Sequence, residues 1–170
     1  EINEKKCSGR VEELEKILFK TPSNGNIGIG HVRWATHGVP NIVNAHPHSS
    51  EKVSVVHNGI IENSDEIKKE LEKKGFQFKS QTDTEVITQL ITENLKKNEP
   101  LESVFKTLEK LKGSFALGII FKDFTDIIIG ARRGSPLAVG FSKDENYLGS
   151  DSYALKSMTN KISYLDDGEV

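Results

Sequence analysis

The spacing of apolar residues changes several times along the chain, and each change marks an element. After Arg10, the residues Val11, Leu14, Ile17 and Leu18 recur at three- and four-residue intervals, one face of a helix. Ser8 is placed to cap that helix, and Glu12 and Glu13 occupy its first turn. Pro22 and Gly25 in TPSNGN end the pattern, and NIGIGHVRW then alternates like a strand. Residues 35–52 hold turn formers, two prolines and three histidines, the composition of an ordered loop.

The run VSVV at 53–56 predicts a strand buried on both faces that stops at HNG, a turn signal in which Gly59 can take a positive φ. Asn63 with Glu66 resembles a capping box, Ile67 and Leu71 share one face, and Gly75 is a stop, so a helix is predicted over about 64–74. Phe76 and Phe78 predict a short strand. Thr82 or Asp83 opens a second helix with Ile87, Leu90, Ile91 and Leu95 facing inward, and a third runs from Leu101 through Leu108 to Gly113. From Ser114 the period becomes two: SFALGIIF and DIIIGAR read as strands joined around Asp123, PLAVGF and NYLGS as two more, and ISYLDDGEV as a strand and turn. Helices cluster in the middle and strands at the ends, which predicts an α+β, mostly antiparallel layered fold in a single domain rather than a doubly wound sheet.

Composition narrows the partners. Lysine and arginine total 23 against 25 acidic residues, and a net charge of -2 is too small and too mixed to attract a phosphate backbone. No nucleic acid is expected. No apolar run approaches the ~20 residues that span a bilayer, and the polar start EINEKKCSGR lacks a signal-peptide core. A single cysteine, Cys7, cannot close an intrachain disulfide, so the cytoplasm is the expected compartment. The chain begins without methionine, which points to an internal fragment, a processed chain or a disordered beginning.

Three clusters place polar or small residues where an apolar element ends: RWATHG at 33–38, HNGIIEN at 57–63 and TDTE at 82–85. Arg33 offers a planar fork for a carboxylate, with Thr36 and His37 as further donors, although the same arginine can serve a structural salt bridge. Asn58 and the Gly59 N–H can together serve a developing oxyanion, or simply form a turn. Asp83 can cap its helix or receive an ammonium group. His46 and His48 in AHPH share a face if the chain is extended, but no second ligand cluster accompanies them, and no metal is expected. No G-x-S-x-G elbow is present.

Taken in order, GIGHVRWATHG, NAHPH, VVHNGIIEN, TDTEVI, GSFALGII and ARRGSPL resemble the glutaminase domains of the glucosamine-6-phosphate synthases, class II glutamine amidotransferases of the N-terminal nucleophile hydrolase type. The resemblance implies a four-layer α-β-β-α sandwich and a glutaminase that passes ammonia to a sugar-phosphate domain, without a cofactor, in a homo-oligomeric parent. It implies that Arg33, Thr36 and His37 hold the glutamine α-carboxylate, Asp83 the α-ammonium, and Asn58 and Gly59 the oxyanion. Trp34 matches a tryptophan near the ammonia passage, and His46 a residue close to the pocket. The nucleophile of that family is an N-terminal cysteine whose own amine is the base. This chain begins with Glu1, and Cys7 sits in KKCSGR without that amine. Residues 1–170 therefore read as a partial glutaminase domain lacking its first strand and helices, inactive alone. The competing readings are a noncatalytic glutamine-sensing or scaffold domain and a His-rich metal hydrolase.

Overall fold

The computed structural model describes residues 1–33 and 38–170. Its elements in chain order are α1 (Val11–Lys20), β1 (His48–Ser49), β2 (Val53–Ile61), α2 (Ser64–Lys73), α3 (Asp83–Asn94), α4 (Pro100–Lys110), β3 (Gly113–Phe121), β4 (Ile128–Arg133), β5 (Ala138–Phe141), β6 (Asn146–Gly149), α5 (Ser152–Leu155) and β7 (Lys161–Tyr164). The strands form two antiparallel sheets, the first in the order β1-β2-β3-β4 and the second in the order β6-β5-β7.

The alternation of β2, β3 and β4 assigns their faces. Val53, Val55 and Ile61 of β2, Phe115, Leu117, Ile119 and Phe121 of β3, and Ile129 and Ala131 of β4 enter one buried cluster. Ile67 and Leu71 of α2, Val86, Ile87, Leu90 and Ile91 of α3, and Val104 and Leu108 of α4 close that cluster from the helical side. At ~1.5–3 kcal/mol for each fully buried large apolar side chain, this face holds the domain together. Arg133 points the same way, donates to the Leu111 and Leu108 carbonyls at the end of α4 (2.7 and 3.3 Å), and lies over the Phe115 ring.

The opposite face of the first sheet meets the second. Leu137 and Leu148 sit where a β-carbon on Gly130 would point, and Leu155 of α5 packs against Gly140 and Gly149. Val139 and Leu148 thus turn towards the first sheet, while Ala138, Gly140 and Gly149 turn towards α5, because neighbours along a strand alternate. The layers run helices, sheet, sheet, helix, as expected for the α+β sandwich. Among the described residues no helix is long and apolar enough to cross a membrane.

Several local expectations are corrected. Residues 27–33 join no ladder despite their alternation, and Phe76 and Phe78 pack on the core without forming a strand. Arg10, not Ser8, precedes α1, which buries none of its residues. Asn63 makes no capping bond; its side chain accepts from the Lys112 N–H and donates to the Lys110 carbonyl (both 2.9 Å), tying α2 to the start of β3. Asp151 caps α5 by accepting from the Ala154 N–H at 2.9 Å.

The correction that matters most falls on HNG, which does not end its strand. The strand β2 runs through it to Ile61, with Asn58 opposite Ala116 and Gly59 opposite Phe115. Gly59 has φ 134, and a β-carbon there would overlap the Ser114 carbonyl oxygen, so the glycine lets β2 stay paired with β3 where the strand distorts. We expect Gly59→Ala to destabilise the domain by about 3–5 kcal/mol, the top of the range for one substitution. Urea unfolding checks this, and an unchanged midpoint would show that the neighbouring backbone yields freely.

Candidate active site

The strand β1 pairs with β2 only at His48↔Val55 and Ser49↔Ser54, so among the described residues no strand lies beside that edge of β2 from Val56 onward. The N-terminus of α3 lies there instead. Asp83, the first residue of α3 and 5% exposed, accepts the Ile61 N–H on its Oδ2 at 2.8 Å. Backbone N–H groups two residues apart on a strand point the same way, so the Gly59 N–H faces that same open edge. The structure thus gives Asp83 a backbone donor from a different element, beyond the helix-start role that the local pattern allowed.

A cavity of about 250 Å³ occupies this edge, lined by His31, Arg33, His46, His57, Asn58, Gly59, Ile60, Thr82, Asp83 and Thr84. It brings together five of the eight residues singled out from sequence: Arg33, His46, Asn58, Gly59 and Asp83. Trp34, Thr36 and His37 lie outside the described residues. The volume suits a ligand smaller than the drug-sized molecules that fill ~300–1,000 Å³ pockets. A second cavity of about 490 Å³ between the two sheets shares His31, Arg33, His57 and Asn58 with it. Cys7 lines neither.

Arg33 has φ 47, and among the described residues it alone has a positive φ without being glycine. Such a conformation costs on the order of 1–3 kcal/mol and persists where surrounding contacts impose it. Here the Arg33 guanidinium donates to the Gly38 and Val39 carbonyls (3.1 and 3.3 Å), and the Arg33 backbone N–H donates to His31 Nδ1 at 2.8 Å. Asn44, 1% exposed, fastens the same loop by donating to the Val39 carbonyl and Gln81 Oε1 and accepting from the Gln81 N–H.

Sequence reasoning missed the polar scaffold beneath the cavity. Thr84 Oγ1 lies 2.9 Å from His46 Nε2 and 3.0 Å from His57 Nδ1, a single hydroxyl joining two imidazoles. Glu85 accepts from the Lys79 N–H, the Ser80 N–H and the Ser80 hydroxyl, which fixes the turn leading into Asp83. Ser80 continues through Thr82 Oγ1 to His48 Nε2. These residues are polar and buried, a signal that TDTE carried only as helix-start composition.

His31 stacks on His46 with ring centroids 4.3 Å apart, and His46 meets His48 edge to face at 5.2 Å. The His46–Pro47 bond is cis. Among the described residues no group of three or more potential ligands is arranged for a metal ion. Burial, followed by the neighbouring His31, His48, His57 and Arg33, lowers the His46 pKa to about 2. Burial and then Lys6 lower that of His48 to about 4, against the opposing pull of Glu85 and Glu4.

An antiparallel α-β-β-α sandwich with a polar cavity at the open edge of an inner strand defines the class: this is the N-terminal nucleophile hydrolase fold of glutamine amidotransferases. The family described as glutamine amidotransferase domain matches residues 39–157, and the chain belongs to it. Glutamine–fructose-6-phosphate aminotransferases (isomerizing) from Zymomonas mobilis and Mesorhizobium japonicum are 49% and 51% identical to it across 99% of this chain. The chain spans 28% of the length of those relatives. Among solved structures, glutamine phosphoribosylpyrophosphate amidotransferase from B. subtilis, complexed with ADP and GMP, is 28% identical with a TM-score of 0.63, over 82% of this chain and 30% of its own.

The buried histidines predict a pH dependence whose sign follows from their depressed values. Below the ordinary value of 6.5 the unfolded chain binds protons that the folded chain refuses, so stability falls on acidification, down to about pH 4 for His48 and about 2 for His46. Each histidine contributes a slope of up to about 1.4 kcal/mol per pH unit. We expect His48→Gln, which retains a partner for Thr82, to flatten the decline between pH 6.5 and 5. Urea unfolding at stepped pH reads this, and parallel curves for wild type and variant would overturn the neutral assignment.

Proposed function

We propose that this domain hydrolyses the side-chain amide of glutamine and that the full-length protein delivers the ammonia to a sugar-phosphate domain, converting fructose-6-phosphate to glucosamine-6-phosphate. The observation that carries the reading is the juxtaposition, around one cavity, of a guanidinium, a carboxylate and the Asn58-Gly59 pair in a glutamine amidotransferase domain. The acceptor sugar rests on the similarity to the fructose-6-phosphate aminotransferases. We place the activity in the cytoplasm, on the single-cysteine composition.

In this reading a free amino acid is recognised by its two charged ends. Arg33 grips the α-carboxylate, with Thr36 and His37 assisting, and Asp83 receives the α-ammonium; His46 borders the pocket and Trp34 the route taken by ammonia. A thiolate attacks the side-chain carbonyl carbon, and the negative oxygen that forms is met by the Asn58 amide and the Gly59 N–H. The tetrahedral intermediate collapses with loss of the C–N bond, the proton given up by the thiol passes to the nitrogen, and ammonia leaves. Water then cleaves the thioester to glutamate. Cys7 lines neither cavity, so we assign the nucleophile to a residue outside these 170, and the 170-residue chain by itself releases no ammonia. Ammonia release from this chain that Cys7→Ser abolishes would overturn that assignment.

In the full-length protein, Arg33→Lys should raise the KM for glutamine roughly ten- to a hundredfold, because an ammonium cannot reproduce a bidentate grip. Asp83→Asn should act similarly, since its amide oxygen can still accept the Ile61 N–H while the charge is gone. Asn58→Ala should instead lower kcat by about 10²–10³ with KM little changed, because the oxyanion exists only beyond the ground state. Steady-state release of glutamate and ammonia checks all three. Wild-type KM in both charge variants would sink the clamp, and a raised KM with unchanged kcat would remove Asn58 from the oxyanion site. A noncatalytic glutamine sensor would bind glutamine without any release.

A further inference from the structure

We propose that His31 is a positioning residue for the reaction: it holds Asn58 with its amide nitrogen turned to the cavity, so that the oxyanion donor is aimed before substrate arrives. The inference rests on the glutaminase reading above and assigns a part to a residue that the motif analysis passed over.

A chain of hydrogen bonds runs from the Arg33 backbone through His31 to Asn58, and its polarity is fixed at one end. A backbone N–H can only donate, and the Arg33 N–H points at His31 Nδ1 from 2.8 Å. That nitrogen must therefore be the unprotonated acceptor of a neutral ring. A neutral imidazole with a bare Nδ1 carries its proton on Nε2, and Nε2 lies 2.8 Å from the side-chain oxygen of Asn58. The contact is a donation from His31 to Asn58 Oδ1, which leaves the two Asn58 amide hydrogens on the far side of the group. Swapping oxygen and nitrogen at Asn58 would set an N–H against the Nε2–H. The orientation is thus dictated by the Arg33 backbone, two residues along from the histidine.

Two further features hold the ring in place. His31 stacks on His46, which is itself tied through Thr84 to β2 and α3. The Arg33 backbone adopts its left-handed conformation while the guanidinium is held by the Gly38 and Val39 carbonyls. A residue that grips one end of the substrate therefore orients, through its own backbone and His31, the donor that serves the reacting end. Preorganisation of this kind matters because an amide that must rotate during the reaction loses part of its advantage over water.

The test uses the full-length protein and steady-state glutamine hydrolysis, with circular dichroism to establish folding. His31→Phe keeps the stacked ring and removes both nitrogens; we expect kcat to fall about 10–100-fold, the range for losing a partner that orients a functional group, with KM little changed. In His31→Gln an amide nitrogen can occupy the place of Nε2, and most of the lost turnover should return. His31→Asn places its amide near Nδ1, short of Asn58, and should behave like His31→Phe. The decisive comparison is with Asn58→Ala: if His31 acts through Asn58, adding His31→Phe to that variant costs no further kcat. Multiplicative losses, a change confined to KM, or wild-type kcat in His31→Phe would each overturn the positioning role while leaving the glutaminase reading intact. A wild-type protein that releases no ammonia from glutamine, with fructose-6-phosphate present, would overturn both.

Discussion

The Ile61 N–H to Asp83 bond of 2.8 Å joins two elements distant in sequence, and the cavity exists because of where they meet. Beyond Val56 the edge of β2 has backbone groups with no neighbouring strand among the described residues, a costly condition inside a protein unless something else accepts them. A carboxylate at the start of α3 meets that need, favoured there by the helix N-terminus. Had β1 continued, its backbone would have filled the edge, and the Gly59 N–H would have been spent on a ladder bond. A short β1 and an acidic α3 start are thus parts of one arrangement that leaves donors facing a pocket.

The cavity is built to limit its own charge. His46 and His48 stay neutral far below physiological pH because burial disfavours protonation, with Arg33 beside His46 and Lys6 beside His48 adding to it. The hydroxyls of Thr82 and Thr84 accommodate these rings without adding charge. Apart from histidines, the described lining then carries one cation and one anion, Arg33 and Asp83. In the proposed glutaminase reading such a pair would discriminate by geometry: a zwitterion whose charges match the separation satisfies both, whereas a simple carboxylate or amine engages only one.

Much of the layered fold was legible because it rests on periodicity. Ile67 and Leu71, the α3 face from Ile87 to Leu95, and the alternating Phe115, Leu117 and Ile119 each record in sequence which side meets the core. What failed depended on neighbours. Alternation in NIGIGHVRW promised a strand, but a strand requires ladder hydrogen bonds, and the described residues 27–33 enter none. Asn-Gly ordinarily signals a turn; here the glycine's positive φ is used inside a ladder, where the oxygen of Ser114 on the next strand would overlap a side chain. No local pattern carries that information, because the obstacle lies more than fifty positions away.

For the site, the residue types were readable and their connections were not. Arg33, His46, Asn58, Gly59 and Asp83 could be singled out as chemically capable groups at the ends of apolar elements, and the fold brings them around one cavity. His31 offered no such signal, since a histidine in an alternating segment reads as a half-buried strand position. Its bond to Asn58 spans 27 positions, and the polarity of that bond is set by an N–H two residues away in a backbone conformation that only the folded loop imposes. Thr84 and Glu85 were hidden differently: their composition suits any helix start, and their partners His46, His57, Lys79 and Ser80 approach from other segments. A motif therefore locates the groups that can touch a substrate, while the groups that fix their orientation become visible only when each donor in the folded structure is followed to its acceptor.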